Sequence, residues 1–166
     1  MRILVAVAAT VTVAVTLAVA APVYAATTYT SSLRGFEVAA TSTRGTFTGT
    51  ASGSLSGQWA ATVEHTPLSP NATITGGSFA IATAVNSVPT LVTGTFSGGS
   101  VTVVNPGAGC TNQSFAINGM LGNVGAWYSG SGTGTFIGTL IHYRTRIFTS
   151  CITYWATVSG SVTLTF

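Results

Sequence analysis

From about residue 46 onward, apolar side chains alternate with small polar ones, and the alternation is cut at intervals by Gly, Pro and Asn. A period of two is the signature of a strand, whose successive side chains face opposite sides. The alternation and its punctuation predict strands over 46–51, 58–65, 72–85, 89–96, 101–104, 114–121, 133–146 and 152–166. Gly76-Gly77 should bend or bulge the third of these. Ser97-Gly98-Gly99-Ser100 reads as a hairpin turn between the fourth and fifth strands. Residues 105–109 form a tight loop ending at Cys110, and residues 122–132 a longer loop carrying Trp127 and Tyr128.

The last strand has the clearest faces. Ile152, Tyr154, Ala156, Val158, Val162, Leu164 and Phe166 share one side, expected to be core. The other side is Thr and Ser apart from Trp155. In the strand before it, Gly134, Phe136, Gly138 and Leu140 alternate small with large, as the inside of a tapering barrel requires, and the same face continues into His142, Arg144 and Arg146.

The predicted fold is all-β, a single antiparallel barrel of about eight strands. A two-sheet β-sandwich is the alternative, since short strands and regular turns suit both. Long strands, Gly recurring within strands and a chain that ends in a strand favour the barrel. Glycine allows sharp curvature, and a terminal strand is free to pair with an early one.

The first residues break this pattern. One Arg, an apolar run over 3–21 and small residues at Val23 and Ala25 have the form of a secretory signal peptide, with cleavage expected after Ala25. An uncleaved membrane anchor is the rival reading of the same run. Residues 26–33 are expected to be a loose leader and 34–166 a single barrel domain, secreted and extracellular. Positive charge carried only by Arg suggests a GC-rich bacterial source. In an exported chain Cys110 and Cys151 read as one disulfide.

Charge narrows the chemistry. Beyond residue 25 there are four Arg (Arg34, Arg44, Arg144, Arg146) and two Glu (Glu37, Glu64), with His65 and His142. Scattered arginines do not make a nucleic-acid footprint. Nothing in the sequence brings the two glutamates together as a glycosidase pair. Glu64 and His65, adjacent on a strand, point to opposite faces, and two histidines fall short of a metal site. No cofactor and no metal are expected, and catalysis is less expected than binding.

Two groups remain as candidate sites. His142 and Arg144, with His65 at the end of another strand, would form a polar anchor for a small ligand near one barrel mouth. The bland alternative pairs Arg144 with Glu37 or Glu64. Trp127 and Tyr128 would form an exposed aromatic platform for a glycan, or else a plug over one end of the core. Trp155 would mark a contact surface. The low charge and Thr-rich surface permit oligomers without specifying one.

The Gly-Thr-Phe-x-Gly-Thr runs at 45–50 and 134–139, the strand-end His142-Tyr143-Arg144 and the closing Val158-Ser159-Gly160-Ser161-Val162-Thr163-Leu164-Thr165-Phe166 resemble small secreted bacterial β-barrel proteins of no assigned function. More distantly they are similar to the calycin-like barrels of allene oxide cyclases and dirigent proteins. That resemblance implies an eight-stranded barrel with a central apolar cavity in which a reactive substrate is steered. No motif carries catalytic residues across. Three expectations follow: a non-catalytic barrel binding a small apolar ligand or a cell-surface partner, a barrel isomerase or cyclase, and a wall- or glycan-binding module.

Overall fold

The computed structural model describes residues 26–166 except Tyr128 and the side chain of Ser129. The expected signal peptide, residues 1–25, lies outside the described residues, as does Tyr128. Eight antiparallel strands close a barrel in chain order: β1 (Thr28–Thr41), β2 (Arg44–Gly53), β3 (Gly57–His65), β4 (Asn71–Val85), β5 (Val88–Asn105), β6 (Gln113–Ala126), β7 (Ser129–Ile147) and β8 (Ser150–Thr165). Among the described residues a 3-10 turn, Ala108–Cys110, lies between β5 and β6. The barrel closes where β8 pairs with β1, from Thr28 opposite Thr165 to Phe36 opposite Thr157. The strand at the end of the chain is thus paired on both sides, which distinguishes the barrel from the sandwich.

Three expectations about where elements begin and end are corrected. The loose leader is not loose from Thr28 onward: residues 28–33 belong to β1, with Ser31 and Leu33 each 1% exposed. A serine occupies a core position there because the turn after β2 supplies its partners. Ser31 Oγ donates to the Leu55 carbonyl and accepts from the Leu55 N–H, both at 2.9 Å. The second correction concerns 97–100, which is no turn. Strand β5 runs through it with a bulge between Phe96 and Gly98, and Gly99 faces Gly119 across the ladder. A Cβ at Gly99 would stand 2.0 Å from the Asn118 carbonyl oxygen, so the glycine serves close approach. The third is the supposed long loop 122–132, most of which is ladder. β6 continues to Ala126, and the chain reverses at Trp127 with φ 54°.

In β8 the expected core face holds for Ala156, Val158, Val162 and Leu164, all buried, while Trp155 points outward. Ile152 and Tyr154 leave that face. A bulge opposes Tyr143 to Trp155 but Arg144 to Thr153, so Tyr154 is the extra residue. One inserted residue turns the strand beyond it over, which places Ile152 on the outer side beside Thr145.

Aromatic rings fill the middle of the barrel. Phe136 lies 6.1 Å from Trp59, 6.3 Å from Phe79 and 5.9 Å from Phe96, measured between ring centroids. Eight strands enclose an interior just wide enough for such side chains. Gly35 and Gly49 face one another across β1 and β2, where a Cβ on either would collide with the Thr48 or Arg34 carbonyl oxygen, so the two strands approach closely there. Trp59 is opposite Gly49 in turn, and its Nε1–H donates to the Arg34 carbonyl at 3.1 Å. The central apolar cavity implied by the resemblance is therefore occupied by the protein's own side chains. The buried residues are apolar apart from Ser31, and Thr and Ser are frequent on the outer wall.

Candidate functional site: the open mouth

The turns after β1, β3, β5 and β7 lie at one end of the barrel. Of the Arg, Glu and His residues beyond residue 25, all but Arg34 occur on strand segments near that end. The opposite end is stopped by Leu55, 1% exposed and pinned by Ser31. The two ends therefore differ, and open space remains at the first: a cavity of about 110 Å³.

Its walls are apolar, made by Phe47, Val63, Phe115, Ile117 and Leu140. These are the inward residues of four strands just above the aromatic centre. Its rim is formed by Thr41 at the end of β1, Ser42 of the first turn, Arg44, His65 and Leu68. One polar pair reaches inside. His142 Nε2 stands 2.8 Å from Glu37 Oε2, with the two side chains 18% and 9% exposed. A carboxylate oxygen only accepts, so Nε2–H is the donor. The two residues sit on β7 and β1, with β8 between them. Two strand spacings are roughly 9.6 Å, a gap that a glutamate and an imidazole reaching toward each other can span. The intervening residue opposite His142 is Ala156, whose methyl leaves the space above it clear. Glu37 is brought inward just before a β1 bulge, where Val38 is the extra residue between the Glu37–Phe47 and Ala39–Thr46 pairs. Gly45 makes room beside it, since a Cβ there would meet Glu37 Oε1 at 2.9 Å and the Phe47 ring at 2.7 Å. The edge of Phe115 packs on the imidazole at 5.0 Å between centroids.

His142 and His65, expected from the sequence, do line one cavity. His65 Nδ1–H donates to the Thr66 carbonyl at 2.7 Å, which fixes the ring on the rim. Arg144 is a correction on both of its readings: it neither lines the cavity nor pairs with a glutamate. Its Nη1 donates to the Gly107 carbonyl at 3.2 Å and its backbone N–H to Asn112 Oδ1 at 3.2 Å, so it braces the β5–β6 loop. The same loop is tied to the β7–β8 hairpin by the Cys110–Cys151 disulfide, Cα–Cα 5.6 Å, as the sequence predicts.

Trp127 is 59% exposed at the far end, so it is not a plug over the core. Trp155, 51% exposed, lies on the outer wall and stacks on Phe36 at 5.6 Å. These two tryptophans do not assemble into one surface. Glu37 is the site residue that the sequence reading missed. Its signal was the alternation Leu33, Gly35, Glu37, hidden by treating the start of β1 as a leader. Among the described residues, no three His, Cys, Asp or Glu side chains gather as metal ligands.

No protein family, no curated protein and no solved structure matches this chain. Chemically, the mouth offers an apolar socket with a single oriented carboxylate–imidazole pair. Such a pair fixes one hydroxyl, amine or carbonyl of a ligand whose remainder is apolar.

Proposed function

We propose that the protein is an exported, non-catalytic binding barrel whose open mouth takes a small apolar ligand, or the apolar end of a larger one, with one polar group set against Glu37 and His142. The observation that carries this reading is the cavity of about 110 Å³, with apolar walls, that pair reaching inside it and Thr41, Ser42, Arg44 and His65 at its rim. Its size limits the ligand. A dry cavity of about 150 Å³ accommodates benzene, and water takes up roughly 30 Å³ per molecule, so the socket suits a few heavy atoms rather than a full lipid or cofactor. Export is supported by the form of residues 1–25 and by a disulfide pair that suits an oxidising compartment.

Native mass spectrometry of the protein purified from its own culture medium tests the proposal, alongside NMR titration with phenol, indole and short-chain alcohols. The expected result is an added mass that leaves on denaturation, or probe-induced shifts at Phe115, Leu140 and His142 that vanish in a Leu140→Trp variant. A bare mass together with no shifts from any probe overturns it. Turnover of a bound compound that stops in His142→Gln would instead favour the isomerase alternative, in which the oriented imidazole moves a proton.

A further inference from the structure

The β7–β8 hairpin ends in a feature that the cavity does not use. Phe148, in its two-residue turn, is 94% exposed, and Ile147 beside it is 47% exposed. Phe148 also holds φ 53°, the left-handed region where Gly or Asn ordinarily sits. A bulky aromatic is therefore kept in a strained turn while packing on almost nothing. Strain maintained without packing points to a contact made outside the fold.

The residues behind the tip follow an order. Arg146 is one rung back, opposite Cys151, and is exposed. Further along come Tyr154, 62% exposed, and Trp155, 51% exposed. Residues 129–165 contain no Asp or Glu, so the hairpin carries positive charge only. From the tip inward the hairpin is thus first apolar and then cationic. An apolar tip with a cation one rung behind it suits acyl chains at the boundary and phosphate just above them. The disulfide between Cys151 and Cys110 clamps the stem directly behind the tip, so the hairpin presents a rigid wedge.

We propose that the β7–β8 hairpin tip docks the barrel on an anionic lipid surface, with Ile147 and Phe148 entering the acyl boundary and Arg146 meeting phosphate. The proposal is independent of the cavity reading, because the tip residues do not line the cavity. A second copy of the chain is the competing occupant, and charge decides against it. Two like-charged hairpins repel, whereas an anionic surface attracts both.

Co-sedimentation with vesicles of phosphatidylglycerol and phosphatidylcholine, against phosphatidylcholine alone, tests it. Binding is expected to the anionic vesicles and to weaken with salt. Phe148→Ser should lower partitioning about tenfold, as loss of a buried aromatic predicts. Arg146→Gln should lower it roughly fivefold on anionic vesicles only. A Phe148→Trp variant should be quenched by acyl-brominated lipid. Because the tip makes few contacts, Phe148→Ser should keep the wild-type unfolding midpoint, which separates lost docking from lost folding. The proposal is overturned if wild type ignores both vesicles, if Phe148→Ser binds like wild type, or if gel filtration without lipid shows a dimer that Phe148→Ser dissolves.

Discussion

The two mouths of the barrel solve opposite problems. At one, Leu55 folds in beneath the core, Ser31 satisfies both of its backbone groups, and Tyr29 stacks on Phe166 at 5.1 Å. That end is filled. At the other, the strands run past the aromatic centre and shape is kept by crosslinks: the Cys110–Cys151 bridge, Arg144 on the β5–β6 loop, and the Glu37–His142 bond. Filling an end gains burial but leaves nothing to bind, while crosslinking an end holds it open. The contrast explains why ionisable residues, scarce in this chain, concentrate where packing is least complete.

The sharpest way to break the contrast is at the centre that both ends share. Trp59→Ala should lower unfolding free energy by about 3–5 kcal/mol, read from the denaturant midpoint, because it empties the barrel and orphans the Arg34 carbonyl. An effect below a quarter of that would mean the interior repacks. Next comes the open end's crosslink. Cys110→Ser with Cys151→Ser should cost about 2–4 kcal/mol by loop entropy, and it should also broaden NMR signals of the β7–β8 hairpin while those of Leu55 stay sharp. At the filled end, Ser31→Ala should cost about 1–3 kcal/mol, since two backbone groups of Leu55 lose their partner. It should leave any ligand affinity at the far mouth unchanged. The smallest effect is a double-mutant cycle on Glu37→Gln and His142→Phe. A coupling of about 1 kcal/mol is expected for a half-buried hydrogen-bonded pair, and a null coupling would remove the pair as an organiser of the mouth.

Architecture was legible because a period of two needs no tertiary information. The inward set of β7, the core of β8 as far as Ala156 and the disulfide all follow from alternation and cysteine count. The expected number of strands was also right, yet by compensation: β1 was missed and β5 was divided in two. Both errors have one cause. Small polar residues do not announce whether they face in or out, so Ser31 looked like leader and Gly98-Gly99 looked like a turn. The site was harder to see. Glu37 meets His142 across an intervening strand, a contact that depends on closure of β1 on β8 and on a methyl at Ala156. Arg144 went astray for the matching reason, because a loop carbonyl competes for its guanidinium and loop carbonyls leave no trace in sequence.

Barrel closure also settles where the described chain can be handled. Thr27 and Phe166 exchange backbone hydrogen bonds at 3.0 and 3.1 Å, beside the filled mouth. The two ends meet there, across the barrel from the socket and the exposed hairpin. A reporter or solid support joined near either of them would leave the socket pointing outward. The Asn86-Ser87 turn lies on the same side and offers a third point of attachment there.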